Sequence, residues 1–407
     1  MQERERSIHC LLTTNLQEGY FLTIQRTYEE INTKVRNGKA VIVTAEEIIP
    51  IVKEKGIEKA TEEIDVVTTG TFGPMCSSGT IINFGHSDPP IRMQKVWLND
   101  VEAYAGLAAV DVYLGATQLS ESQGMEYGGA HVIEDLISGK KIKLKAISQG
   151  TDCYPRREIE SYITKESINQ AILFNPRNGY QNYNVAVNTS ERKIYTYMGI
   201  LLPDLGNASY STSGQLSPLL NDPEFRTIGI GTRIFLGGAQ GYIAWEGTQF
   251  YPQVIKDEEG KVIYKGGTLA VVGDLKEMST DYIRAATFKG YGVTLVVGIG
   301  IPIPILNSEI MKNAAVKDED IWTEIIDYSF PRLKKPSLGK VNYRQLREGN
   351  ITIRGKNVPT SPLSSYAKAR EIAQRLKEEI SRGKFLLQEP IQKFPKESEF
   401  KPLLEIR

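Results

Sequence analysis

Ala40-Val-Ile-Val-Thr-Ala-Glu-Glu47, followed by Ile64-Asp-Val-Val-Thr-Thr-Gly-Thr-Phe-Gly-Pro-Met-Cys-Ser-Ser-Gly79, decides the fold class of this chain. Residues 40–43 form a short unbroken apolar run, as a buried strand requires. Thr44 and Glu47 stand at the spacing of a capping box. They predict a helix carrying Ile48, Ile49, Ile51 and Val52 up to Gly56, with Pro50 signalling a kink or a later start. Residues 64–69 predict the next strand. Strand, helix, strand in that order argues for a parallel pair joined by a crossover. In such sheets, sites form beyond the carboxyl ends of the strands, and the second strand is expected to run straight into the loop holding Cys76.

Upstream, Ile24, Tyr28, Ile31 and Val35 share one helical face that Gly38 closes. Downstream, Val101-Glu-Ala-Tyr-Ala-Gly-Leu-Ala-Ala109 is expected to be helical and residues 110–114 a strand. A short helix over 128–139 leads into a strand over 142–147, which delivers Cys153 to Ser148-Gln-Gly-Thr-Asp-Cys-Tyr-Pro-Arg-Arg157. The middle is β-rich: Asn178-Gly179, Gly206-Asn207 and Gly237-Gly238 punctuate apolar runs such as 185–187 and 194–198. Residues 268–273 and 292–298 read as further buried strands. From about residue 335 the composition turns polar. Ser361-Pro362 is expected to open a helix over about 362–382, with Ala367, Ile372, Ala373, Leu376 and Ile380 as its stripe. The expected class is therefore α/β, with a mixed, partly parallel sheet, crossover helices, a β-rich middle and a C-terminal helical tail. Residues 1–335 are expected to form the catalytic domain, and 336–407 a polar packing or assembly arm with that one helix.

Charge excludes one large class. The chain carries 49 basic and 49 acidic side chains, without the basic excess a nucleic-acid binder uses to neutralise phosphates. Lys140-Lys-Ile-Lys-Leu-Lys145 alternates like the exposed face of a strand. The first residues, Met-Gln-Glu-Arg-Glu-Arg, lack a signal-peptide core. The longest apolar stretch, 293–306, is too short to span a bilayer and contains Pro302 and Pro304. A soluble, cytoplasmic protein without a membrane role is expected. Three cysteines and no Cys-x-x-Cys pair offer neither a disulfide framework nor a metal site. With only His9, His86 and His131 as histidines, no metal or other cofactor of the chain's own is expected.

Thiol chemistry is the remaining signal. Cys76 lies among Gly70, Gly73, Ser77, Ser78 and Gly79, a loop suited to holding a thiolate by close backbone approach and an N–H nest. The thiolate, not the thiol, is the nucleophile. Cys153 is followed by Arg156 and Arg157, which either hold an anion or a substrate carboxylate or pair with Glu158 and Glu160. Cys10, in Ile8-His-Cys-Leu-Leu12, reads as core. His86, in Asn83-Phe-Gly-His-Ser-Asp-Pro-Pro90, is either an acid–base group or a structural loop histidine. A neutral, hydrogen-bonding role suits His131 near a helix N-terminus. The glycine-dense 229–241 segment lacks both phosphate-loop and dinucleotide spacings.

Five segments carry a resemblance: Thr69-Gly-Thr-Phe-Gly-Pro-Met-Cys-Ser-Ser-Gly79, Asn83-Phe-Gly-His-Ser-Asp-Pro-Pro-Ile-Arg92, Tyr127-Gly-Gly-Ala-His131, Gly150-Thr-Asp-Cys-Tyr-Pro155 and Gly237-Gly-Ala-Gln-Gly-Tyr242. Through them the chain, up to about residue 310, resembles the homocysteine biosynthesis proteins, whose activity is that of an L-aspartate semialdehyde sulfurtransferase. The resemblance implies that Cys76 and Cys153 are the functional cysteines, one binding sulfur and both taking part in transfer; the scheme expected from this has one carry the sulfur as a persulfide and the two join in a disulfide on release. It implies an aldehyde substrate, a sulfur source, and electrons from a separate ferredoxin-like iron–sulfur protein. In that scheme His86 protonates the aldehyde oxygen, and Arg156 or Arg92, with His131, binds the substrate. Many members add a pair of CBS domains, for which the tail here is too short. A homo-oligomer is compatible with all of this. Two other readings stand beside it: an acyl or CoA-type transferase gripping a phosphate-bearing ligand with its glycine loops, and a non-catalytic sulfur-assimilation scaffold.

Overall fold

A computed structural model describes residues 24–178, 183–252, 254–256, 262–264, 267–399, 401 and 403–404; the expectation for Cys10 lies outside them. Helix α1 (Tyr28–Arg36) starts with a Thr27–Glu30 capping box, and the chain then turns at Gly38, φ 64°. Strand β1 (Ile42–Thr44) follows, and Thr44 and Glu47 exchange the two reciprocal hydrogen bonds of the expected box. Helix α2 (Ile48–Lys55) begins after that box. Pro50 therefore falls in its first turn, where a missing N–H costs nothing. Helix α3 (Ile57–Glu63) completes the crossover, and β2 (Val66–Thr68) pairs parallel with β1, Val66 opposite Ile42. The mixed α/β class is as expected.

The next step differs from the expectation. Strand β2 does not lead into the Cys76 loop. Thr69 and Gly70 cross instead into a nine-stranded sheet, where β3 (Thr71–Pro74) pairs antiparallel with Gly292–Gly300. A Cβ on Gly70 would lie 2.2 Å from the carbonyl oxygen of Ala369, so only glycine passes beneath the C-terminal helix at this crossing. Cys76 follows β3. Strand β4 (Gly79–Asn83) then lies antiparallel between Gln170–Asn178 and Asp111–Gly115. Helix α4 (Gly129–Ile137) buries Ala130, Val132, Ile133, Leu136 and Ile137 in the main core.

Residues 101–109 are not helical. Val101–Ala103 is a strand that folds back on Lys95–Leu98 through Asn99 and Asp100, φ 47° and 65°. Positive φ at both central residues is what a two-residue hairpin needs, and Asn and Asp tolerate it. This hairpin belongs to a six-stranded sheet whose edge pair, Ile142–Ile147 and Glu158–Ile163, holds the Cys153 loop.

An eight-stranded mixed sheet joins Val185–Val187, Ala208–Tyr210 and Trp322–Asp327 to three strands between residues 337 and 362, so residues on both sides of position 335 share it. Pro362 ends the strand Lys356–Pro362 rather than opening a helix. The C-terminal helix is Tyr366–Ser381, capped by Ser365. Its buried stripe is Ala369, Ile372, Ala373, Leu376 and Ile380; Ala367 is exposed. Ile372, Leu376 and Ile380 pack on Ile42, Val66 and Phe235, each such side chain contributing roughly 1.5–3 kcal/mol. No described helix is long and apolar enough to cross a membrane.

Candidate active site around Cys76

Cys76 occupies a turn pinned on both shoulders. The Met75 N–H donates to Leu295 O at 2.7 Å, and the Ser78 N–H closes the turn on Met75 O at 3.0 Å. The Ser78 hydroxyl also donates to Met75 O, at 2.7 Å, and accepts from the Asn175 carboxamide at 2.8 Å. Thr294 donates its hydroxyl to Cys76 Sγ at 3.2 Å. The backbone N–H groups of Cys76 and Ser77 have no acceptor among the described residues. The expected glycine nest is not what surrounds the sulfur. None of Gly70, Gly73 and Gly79 takes positive φ. They provide close contact instead: a Cβ on Gly73 would lie 2.6 Å from Ser364 Oγ, and one on Gly79 2.2 Å from the Tyr113 hydroxyl.

Cys76 lines an open cavity together with Asn178, Tyr183, Tyr197, Met198 and Ser211. No Lys, Arg, His, Asp or Glu among the described residues lines it. The tyrosines form a hydrogen-bonded cluster: Tyr183 meets Tyr197, Tyr197 meets Tyr328 at 2.9 Å, and Tyr328 donates to Asn184 at 3.0 Å. Burial drives the pKa values of Tyr183 and Tyr328 far up, so both phenols stay protonated. Tyr291, next to Tyr197, is raised by burial and then by the charge of Cys76. Asn178 and Ser211 carry buried side-chain atoms without a hydrogen-bond partner among the described residues. Glycine and cysteine spacing gave no sign of Thr294, Asn175, Asn178, Ser211 or the tyrosines. A weak signal existed in Asn175-Pro-Arg-Asn178, where a proline inside a strand marks a bulge.

The other expected site residues are elsewhere. Cys153 is exposed, and so is His86, whose ring stacks on Tyr154 at 6.0 Å. Arg156 pairs with neither Glu158 nor Glu160. Its guanidinium donates to the carbonyls of Pro89 at 3.0 Å and Asp88 at 2.6 Å, while Lys145 and Lys143 face the two glutamates. Arg92 is exposed on the same stretch. His131 accepts the Gly128 N–H on Nδ1 at 3.2 Å and stacks on Tyr127. Burial holds its pKa below the ordinary histidine value, so it is a neutral helix cap. The 229–241 segment is a hairpin turned by Gly237 and Gly238, φ 62° and 98°, against Met278, Ile283 and Tyr282.

The two cysteines follow strands of different sheets. Cys76 precedes the Gly79 end of β4, while the Cys153 loop is tied through Arg156 to residues beyond its Asn83 end. At about 3.3 Å per residue, β4 alone puts roughly 13 Å between those ends. Cys153 does not line the Cys76 cavity.

A family described as homocysteine biosynthesis enzyme, sulfur-incorporation, matches residues 40–387. The chain belongs to that family. It is 54% identical over 380 residues to the L-aspartate semialdehyde sulfurtransferase of Methanosarcina acetivorans, covering 93% of this chain and 74% of that protein. It is 55% identical over 383 residues to the protein of the same name from Methanocaldococcus jannaschii, covering 90% and 73%. An uncharacterised protein of Methanothermobacter thermautotrophicus is 28% identical over 338 residues, covering 81% and 73%. No solved structure matches. As a member of the homocysteine biosynthesis family, the chain is a sulfur-transferring enzyme, which sets aside the acyl-transferase and scaffold readings.

Proposed function

We propose that the chain converts L-aspartate semialdehyde to homocysteine, with Cys76 carrying the transferred sulfur as a persulfide. The relatives' names supply the substrate. Support for the residue comes from its placement: a hydrogen-bonded sulfur lining an open cavity without charged residues among those described. Such cavities are where small ligands are taken.

Replacing the aldehyde oxygen by sulfide and reducing the product to a thiol consumes two electrons and two protons and releases one water. Starting from a persulfide adds two electrons and two protons, because the sulfane sulfur must itself be reduced. An external ferredoxin-like iron–sulfur protein supplies these electrons in this reading. Cys153, exposed beside Arg156 and Arg157, handles exchange with the electron donor at the surface. None of His86, Arg92 and Arg156 lines the Cys76 cavity, so carboxylate binding and aldehyde protonation are not assigned to them.

The test is intact-protein mass after incubation with polysulfide, a sulfane-sulfur donor, using Cys76→Ser and Cys153→Ser. One added sulfur atom on the wild type and on Cys153→Ser, none on Cys76→Ser, and loss of turnover in Cys76→Ser are expected. Full turnover by Cys76→Ser with polysulfide and reductant would end this reading.

A further inference from the structure

The Cys76 cavity contains a polar group that the folded chain leaves unused. Asn178 is fully buried, yet neither Nδ2 nor Oδ1 has a hydrogen-bond partner among the described residues. Ser211 lines the same cavity, and its Oγ likewise has no partner among the described residues. Leaving such groups buried and unpaired is costly, and folded proteins rarely do so without a reason.

Both are held there by local backbone devices. Asn178 ends the strand Gln170–Asn178, whose register on Leu269–Asp274 shifts between Asn175 and Asn178. A bulge of this kind re-aims a side chain. Asn175, at its start, buttresses the Cys76 turn through Ser78, so one irregularity places both asparagines relative to the sulfur. Ser211 precedes Thr212, a β-branched residue at φ 67°, a strained conformation that its surroundings must enforce. The Tyr343 hydroxyl donates to Ser211 O at 2.7 Å, and Thr212 donates to that same hydroxyl at 2.6 Å.

We infer that Asn178 and Ser211 are the hydrogen-bond donors that hold the carbonyl oxygen of the aldehyde while sulfur on Cys76 adds to its carbon. The inference rests on the sulfur-carrier reading of Cys76 and assigns the oxygen's partners within that site. In the addition, the sulfur's electron pair forms the new carbon–sulfur bond and the carbonyl π pair moves onto oxygen. No electron is gained or lost. The alkoxide is held by Asn178 Nδ2–H and Ser211 Oγ–H and takes a proton from water at the open mouth. Donors fixed where charge develops are worth most in an uncharged, largely apolar site, and this wall carries no cation to do the work instead. Asn178 Oδ1 is left to accept from a donor on the same ligand.

Asn178→Leu keeps the volume and removes both unsatisfied groups. With L-aspartate semialdehyde, polysulfide as the sulfane-sulfur donor and reductant, kcat should fall by about 100-fold or more, with KM within threefold. Sulfur loading on Cys76, read by intact mass, should match the wild type. Tm should stay level or rise, since an unpaired buried amide is gone; a merely structural asparagine would lower it. Ser211→Ala should load normally and lose at least tenfold in kcat, and it decides the matter if Asn178→Leu fails to load. A kcat within tenfold of wild type in a variant that loads normally overturns the inference, as does loss of loading in both. Turnover by Cys76→Ser would instead sink the sulfur-carrier reading, so the two failures are distinguishable.

Discussion

Thr294 Oγ1 lies 3.2 Å from Cys76 Sγ and donates its hydroxyl hydrogen to the sulfur. Thr294 faces the Cys76 turn from Gly292–Gly300, the strand that also pairs with β3. A hydrogen bond to a charged acceptor is worth about 1.5–3 kcal/mol, and the sulfur is charged only as thiolate or persulfide anion. Thr294→Val keeps the shape and removes the donor. Alkylation of Cys76 by iodoacetamide at neutral pH should slow by about tenfold, while Cys153 should react at its wild-type rate. Equal rates for Cys76 in both proteins would show that the contact does not activate the sulfur.

Gly70 and Gly79 were both read as parts of a thiolate-holding loop, and their surroundings predict different outcomes for alanine. At Gly70 the added Cβ would meet backbone, 2.2 Å from Ala369 O and 3.0 Å from Ala373 N. Neither atom can move without displacing the C-terminal helix. At Gly79 it would meet the Tyr113 ring, 2.2 Å from the hydroxyl, and a side chain can swing away. Overpacking costs typically 1–3 kcal/mol. Gly70→Ala should reach or exceed about 3 kcal/mol and Gly79→Ala about 1 kcal/mol, as read by denaturant midpoints. The reverse order would mean that the helix is not seated over Gly70.

Local signals made the crossover legible. The Thr44–Glu47 box, Gly38, Gly56 and the apolar runs at 40–43 and 64–69 all act within a few residues of themselves. The hairpin at Asn99-Asp100 was hidden because Val101–Ala103 and the alanines after it look helical by composition, while the two positive-φ residues before them carry the information. The site was legible only at Cys76. Thr294 and Asn178 reach it through strand pairings more than a hundred residues away in sequence, and no spacing rule encodes such register. The same blindness to register made a shared cleft for Cys76 and Cys153 look natural, since each cysteine follows a strand but the two strands lie in different sheets.

His131 gives a pH prediction. Its folded pKa is lowered by burial, against the opposing pull of Glu134, Asp135 and Glu126. Below the ordinary value near 6.5 the unfolded chain therefore binds more protons than the folded one. Stability is fully present above that value and falls as pH drops toward the folded pKa. Protonated Nδ1 also cannot accept the Gly128 N–H. Glutamine at this third helical position can cap as histidine does and does not titrate. His131→Gln should match the wild-type Tm at pH 7.5 and lose less of it between pH 6.5 and 5. Parallel Tm curves for the two proteins would remove His131 from the pH response.

Arg156 was expected to grip the substrate carboxylate. Its Nε and one terminal nitrogen are committed to the carbonyls of Pro89 and Asp88, and its own N–H reaches Pro90 O at 3.3 Å. The side chain is thereby a clasp between the Cys153 loop and the 85–90 segment, on which His86 stacks against Tyr154. Lysine keeps the charge but cannot span two carbonyls with a fixed fork. If the clasp is the role, Arg156→Lys should loosen the Cys153 loop and speed Cys153 alkylation several-fold. The KM for L-aspartate semialdehyde should stay within about twofold, because the Cys76 cavity is untouched. A tenfold rise in KM with unchanged Cys153 reactivity would return Arg156 to the substrate, and would require the Cys153 loop to reach the Cys76 cavity during turnover.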